Sequence, residues 1–144
     1  MPHTAKALLF TCMDERLEAG IEAEIHQLTG GAFHAALAGG GAAFTSDSDR
    51  ATALKQVVAA YTINHITDVY VESHLECGAY SLAGVTFHSQ TEEIVRLYHD
   101  LGLAKAEITA ALTAAGAPAD SVIVHTSVVD LQGHTVERPE LIQA

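Results

Sequence analysis

Leu8-Leu9-Phe10-Thr11-Cys12-Met13-Asp14-Glu15-Arg16 reads as an apolar strand that ends in three chemically active side chains. The run Leu8-Leu9-Phe10 suits a strand buried on both faces of a parallel sheet. Side chains alternate along an extended strand, so the spacing predicts Cys12, Asp14 and Arg16 on one side of the strand end. Packing alone would not choose a thiol, a carboxylate and a guanidinium there. A second constellation, His74-Leu75-Glu76-Cys77-Gly78, follows another strand-like run over residues 66–73, with Val69 and Val71 on one side.

The strands around these motifs alternate with helical periodicity. Leu17, Ile21, Ile25 and Leu28 recur at helical spacing, and Gly30-Gly31 ends that helix. Residues 32–37 form a short second strand that empties into Ala38-Gly39-Gly40-Gly41, where backbone can approach a ligand or another strand closely. Thr45-Ser46-Asp47-Ser48-Asp49 offers N-caps for a helix with Leu54, Val57, Val58 and Tyr61 on its apolar face. Ser89-Gln90-Thr91-Glu92 matches a capping box before Ile94, Val95, Leu97, Tyr98 and Leu101. A further helix is expected over residues 104–115, closed by Gly116 and Pro118. Val122-Ile123-Val124 opens the last parallel strand, Asp130-Leu131-Gln132-Gly133 is a turn, and Thr135-Val136 adds a short edge strand. The expectation is a single α/β domain over residues 1–144, with about four mostly parallel strands plus a fifth edge strand and helices on both faces. Sites in such sheets gather at the carboxyl ends of strands, where both constellations fall.

Composition narrows the function. The net charge is −11 with only 7 Lys and Arg, which argues against nucleic acid or an anionic membrane surface as a partner. No uninterrupted apolar stretch approaches the roughly 20 residues of a membrane span. The first residues lead straight into the first strand, so no signal peptide is expected and the cytoplasm is the expected compartment. The 2 cysteines have neighbours that suit a metal better than a disulfide.

Zinc takes thiolate and imidazole ligands in tetrahedral geometry, and three protein ligands leave one exchangeable position. Cys12, His74 and Cys77 supply three. A helical first turn would bring His74 and Cys77 to one side, and a helix starting near Cys77 would favour its thiolate. Cys12 reaches them if the first and third strands are adjacent. Asp14 can hold a hydroxide on the metal while Arg16 holds Asp14 through a two-pronged hydrogen bond. Alternatively, Asp14 takes the fourth position itself and shuts the site.

In these residues the chain resembles the β-class carbonic anhydrases. Their hallmark is Cys-x-Asp-x-Arg on the first strand and His-x-x-Cys after a later one, standing here as Cys12-Met13-Asp14-Glu15-Arg16 and His74-Leu75-Glu76-Cys77. Gly78-Ala79, Ala38-Gly39-Gly40, and Val128-Val129-Asp130 with Gly133 extend the likeness over about residues 7–136. The resemblance implies zinc held by Cys12, His74 and Cys77, and an Asp14–Arg16 dyad. It also implies a zinc lyase, carbonate dehydratase, that reversibly hydrates CO2 to bicarbonate and a proton, with hydroxide on zinc as nucleophile. A homodimer or higher homo-oligomer goes with it, and Gly39 and Gly78 stand as substrate-binding candidates. Three features depart from the family, one being the short segment after Gly78. Almost nothing precedes the first strand where helices usually embrace the partner subunit, and Ala36-Leu37 stand where Arg-Asn usually precedes the Ala-Gly segment. Carbonyl sulfide or carbon disulfide is therefore an alternative substrate, and a non-catalytic zinc-stabilised module is a third reading.

Taken singly, these residues have plainer readings. Cys12 alone is a small buried hydrophobe, and Asp14 with Arg16 a structural ion pair. A cysteine phosphatase wants an arginine where Glu18 stands, and Gly39-Gly40-Gly41 lack the Gly-Lys-Ser/Thr of a phosphate cradle. His26, His34, His65, His99, His125 and His134 read as surface or satisfied core residues, whereas His88 is placed to ferry protons.

Overall fold

In the computed structural model, which describes residues 2–139, the five strands form one sheet. They are β1 (Ala7–Thr11), β2 (Phe33–Ala36), β3 (Asp68–His74), β4 (Ile123–Val129) and β5 (Thr135–Val136), in the order β2-β1-β3-β4-β5. The first four run parallel, and β5 closes the edge antiparallel to β4. Met1 and residues 140–144, the two ends of the expected domain, lie outside the described residues. The helices are α1 (Glu18–Gln27), α2 (Arg50–Asn64), α3 (Gly78–Leu82) and α4 (Gln90–Ala114). Among the described residues no helix is long and apolar enough to cross a membrane.

The sheet has two unlike faces. Leu8 and Phe10 of β1, Val69 and Val71 of β3, and Val124 and Val128 of β4 share one, packed with Ala53, Val57 and Ala60 of α2 and with the buried stripe of α4. That stripe is Ile94, Leu97, Leu101, Ala104, Ile108 and Leu112, and full burial of a leucine or isoleucine side chain is worth roughly 1.5–3 kcal/mol. The stripe also corrects the expected break into two helices. Gly102 sits on the exposed side of one continuous 25-residue helix, and the 3–4 spacing of the buried residues carries through it. Ser89 caps this helix by accepting the Glu92 N–H at 3.1 Å. Glu92 turns back to the His88 N–H at 3.2 Å, one residue before the donor of a standard capping box.

The opposite face carries Leu9 and Thr11 of β1, then Tyr70 and Glu72 of β3. Helix α1 lies across it, with Gly20 close against Gly133 of the β4–β5 turn and Glu24 beside Glu72. The expected apolar residues of α1, Ile21, Ile25 and Leu28, are only half-buried, because much of this face is polar. Helices thus cover both faces, and α2 and α4 supply most of the helical side of the main core, joined by Phe44 and Tyr80.

Glu72 is 7% exposed and shares its surroundings with a second carboxyl group. Burial first, then Glu24, pushes its pKa from 4.5 up to about 9. A carboxyl whose folded pKa is raised stabilises the fold while neutral and loses that contribution as pH climbs from the unfolded value toward the folded one. Metal-free protein should therefore melt progressively lower between about pH 5 and about pH 9. Glu72→Gln should flatten that decline, raising stability at the alkaline end by about 1 kcal/mol or more while changing little in acid. Thermal melts of both proteins across that range check it.

Candidate metal centre

The pairing of β1 with β3 opposes Phe10 to Val71, so both strands deliver their carboxyl ends to the same edge of the sheet. Beyond β1 the chain does not stay extended. Asp14 caps a 3-10 turn, Glu15–Leu17, its carboxylate accepting the Arg16 N–H at 2.9 Å. The expected strand alternation therefore does not align Arg16. It reaches Asp14 because an aspartate at a turn start satisfies a free amide and reverses the chain. The Arg16 Nη2 donates to Asp14 Oδ2 at 2.6 Å and Nε donates to Oδ1 at 3.0 Å. Nη2 also donates to the Glu76 carbonyl at 3.1 Å, tying the two motifs together.

The second motif differs from the expected helical turn. His74 is the last residue of β3, Glu76 takes a left-handed φ of 59°, and Cys77 is the extended N-cap of α3. That left-handed step, with no helical turn, brings Cys77 back toward the strand end. The Cys12 and Cys77 sulfurs lie 3.8 Å apart. Two thiolates on one tetrahedral zinc, each at about 2.3 Å, would stand about 3.8 Å apart. One ligand atom each from Cys12, His74 and Cys77 falls within 4.8 Å of the others, and all three residues are buried.

His74 points the same way. Its Nδ1 lies 2.7 Å from the Leu75 carbonyl, so Nδ1 carries the proton and Nε2 keeps its lone pair. Nε2 is buried and has no hydrogen-bond partner among the described residues. Asp14 Oδ2 stands 3.6 Å from it. A buried lone pair without a partner, beside two thiols at the right separation, suits a metal ion and suits packing poorly.

The electrostatics support the same view. The Cys77 S–H is the main force holding the Cys12 thiol down to about 4, joined by His74 and the Gly39 N–H and opposed by burial. Cys77 is correspondingly pushed up, because it keeps the shared proton. Burial disfavours the His74 imidazolium, but Cys12, the Leu75 carbonyl and Asp14 outweigh it and move its pKa upward. Arg16 holds Asp14 down to about 2, so its carboxylate is ionised across the working range. A cation of charge two would replace the proton that the thiols share.

Gly39 and Gly78, the glycines expected near substrate, part company. The Gly39 N–H donates to the Cys12 sulfur at 3.4 Å, whereas Gly78 opens α3 and faces open space. Tyr80 of α3 donates to Asp100 of α4 at 2.6 Å, and Arg96 caps that carboxylate at 3.1 Å, locking the helix that follows Cys77. An open cleft of about 540 Å3 is lined by Cys77, Tyr80, Phe87, His88 and Glu93, which puts the suggested proton carrier beside the centre. Several other histidines are satisfied: His34 pairs with Thr11, and His125 pairs with Asp68 and stacks on Tyr70. The reading from sequence missed the hold that Glu93 takes on the Glu76 amide, 2.8 Å away. Its only local sign is a carboxylate just past a capping box.

No protein-family model matches the chain, and no curated protein matches it in sequence. Solved structures do. A carbon disulfide hydrolase in its apo form shares 16% identity over 99% of this chain and 82% of its own, with a TM-score of 0.55. The carbonic anhydrase of Streptococcus mutans shares 21% over 96% of this chain and 85% of its own, also at 0.55. The β-carbonic anhydrase CafA of Aspergillus fumigatus shares 17% over 97% of this chain and 79% of its own, again at 0.55. The fold is therefore that of the β-carbonic anhydrases.

Gly40 tests how the Ala-Gly segment is seated beside Cys12. Its φ is 55°, and a Cβ there would run into the Glu72 carbonyl oxygen. Gly40→Ala should lower stability by about 2–4 kcal/mol through strain and displaced backbone. Denaturant unfolding of the metal-free variant is the check, and an unchanged midpoint would contradict this packing.

Proposed function

We propose that this chain is a zinc-dependent carbonic anhydrase of the β type, a lyase that interconverts CO2 and water with bicarbonate and a proton. One observation carries the reading: Cys12, His74 and Cys77 converge around an orphaned imidazole nitrogen, with the Asp14 carboxylate at its edge, on a β-carbonic anhydrase fold. Those three residues would hold the zinc. Bound there, zinc acidifies a water so that hydroxide is available near neutral pH.

The chain's own groups account for the remaining work. Asp14, ionised and acceptor-only, takes a hydrogen bond from the nucleophile's O–H and leaves a lone pair aimed at the carbon of CO2. Arg16 fixes that carboxylate through both its oxygens, so the acceptor does not swing away between turnovers. It also offsets the negative charge beside the thiolates. The Gly39 N–H steadies the Cys12 sulfur. Attack forms the new C–O bond of bicarbonate, and the proton lost from water passes to buffer, with His88 in the adjoining cleft as its carrier. Two structures of this fold from Sordaria macrospora are tetrameric β-carbonic anhydrases, and a homo-oligomer is the proposed assembly here.

A second reading has a specific observation behind it. A carbon disulfide hydrolase shares the fold over nearly the whole chain, so attack on CS2 or COS by the same residues is the alternative.

Stopped-flow CO2 hydration near neutral pH, on protein with its zinc content measured, tests the proposal. The expected result is about one zinc per chain and a rate far above buffer that a zinc-binding inhibitor abolishes. Cys77→Ser should lose both metal and rate, whereas Asp14→Ala should keep the metal and lose about 100-fold in kcat. Zinc-loaded protein that hydrolyses CS2 or COS but leaves CO2 at the buffer rate would move the assignment to the second reading. Zinc-loaded protein inert toward all three would mark a non-catalytic module.

A further inference from the structure

The turn that carries Cys77 is held at Leu75, Glu76 and the Cys77 carbonyl, and the sources of these holds differ. The Leu75 N–H goes to the Val129 carbonyl of β4 at 3.0 Å, which extends the sheet ladder. The Leu75 carbonyl takes the His74 Nδ1 proton, and the Glu76 carbonyl takes Arg16. The Cys77 carbonyl accepts the Tyr80 N–H at 3.3 Å as α3 begins. These partners are the sheet, the two motifs and the local helix. The Glu76 N–H is different: it donates to the Glu93 carboxylate, 17 residues on in the first turn of α4, at 2.8 Å.

That amide belongs to the residue under strain. Glu76 sits at φ 59°, a conformation that a side chain with a Cβ adopts only when its surroundings enforce it. The Glu76 side chain is exposed and gives it no core anchor. Its peptide is instead clamped from both sides, Arg16 on the carbonyl and Glu93 on the amide. Released from Glu93, the amide would lose a charge-assisted hydrogen bond, and Glu76 would relax toward extended backbone and carry the Cys77 sulfur away from Cys12.

We propose that Glu93 is a positioning residue of the metal centre: it holds Glu76 in the left-handed conformation that sets the Cys77 sulfur against Cys12 and His74. This rests on the reading that Cys12, His74 and Cys77 bind a metal. Glu93 touches neither metal nor substrate and acts through the turn alone. Glu92, its neighbour, caps the His88 N–H and has no part in that turn.

Cobalt(II) binding to the full chain is the test, read as affinity by chelator competition and as the thiolate-to-cobalt and visible absorption bands. Wild type should show both thiolate and tetrahedral signatures. Glu93→Ala should bind cobalt about 10–100-fold more weakly, with shifted bands. Glu93→Gln, whose amide oxygen still accepts the Glu76 N–H, should recover most of the loss. Glu76→Gly placed on the Glu93→Ala background should recover it too, because glycine takes that φ without strain. Glu92→Ala should match wild type.

Wild type without a thiolate–cobalt band would overturn the metal reading and this proposal together. Wild type with the band, and Glu93→Ala equal to it in affinity and spectrum, would overturn the Glu93 assignment alone. Equal losses in Glu92→Ala and Glu93→Ala would reassign the effect to the helix cap. A double variant as weak as Glu93→Ala would remove the turn from the explanation. Should Glu93→Ala not fold, Glu93→Gln and the double variant carry the comparison.

Discussion

Parallel pairing between β1 and β3 is the interaction on which the centre depends. Cys12 and Cys77 are 65 positions apart in the chain, yet their sulfurs come within 3.8 Å. They do so because two neighbouring strands run the same way and stop at the same edge. An antiparallel arrangement would send the two motifs to opposite ends of the sheet. The register is fixed by burial: Leu8 and Phe10 face the same core as Val69 and Val71, and a slip of one residue would turn these side chains toward the polar face. The apolar contacts of α2 and α4 therefore help to set, at a distance, how Cys12, His74 and Cys77 come together.

Around the sulfurs, polar bonds replace apolar packing. The Asp14 carboxylate ends one strand, reverses the chain and receives Arg16, which also grips the turn at Glu76. The Leu75 carbonyl selects the His74 tautomer. These bonds converge on backbone or on ionised groups, the kind that lose most when one partner goes. Among the described residues the arrangement holds one buried imidazole nitrogen with no hydrogen-bond partner and two sulfurs in contact. A bound cation would answer both at once.

The two faces of the sheet divide the labour. Parallel sheets commonly bury apolar residues on both sides. Here the face under α1 carries Glu72, with Glu24 beside it, Tyr70 stacked on His125 and His125 paired to Asp68. A half-buried, acidic helix suits such a face better than an apolar one would. Its cost is a neutral carboxyl in the interior, which stabilises the fold only while it stays protonated.

Much of this was legible in the order of residues. Apolar runs, helix periodicity and glycine stops determined the strands and most helices, because those signals depend on local burial and backbone freedom. Cys12, Asp14, Arg16, His74 and Cys77 stood out because their chemistry is rare at strand ends. Tertiary structure decided the rest. Gly102 failed to break α4, since the buried stripe on the far side of the helix outweighs one exposed glycine. Arg16 met Asp14 through a cap and not by strand alternation, and Cys77 met His74 through a left-handed Glu76 and not a helical turn. Glu93 stood only as a carboxylate just past a capping box, and nothing in the spacing tied it to that turn. Each of these turns on which peptide group is left without a partner once distant strands and helices have packed. Sequence spacing does not encode that.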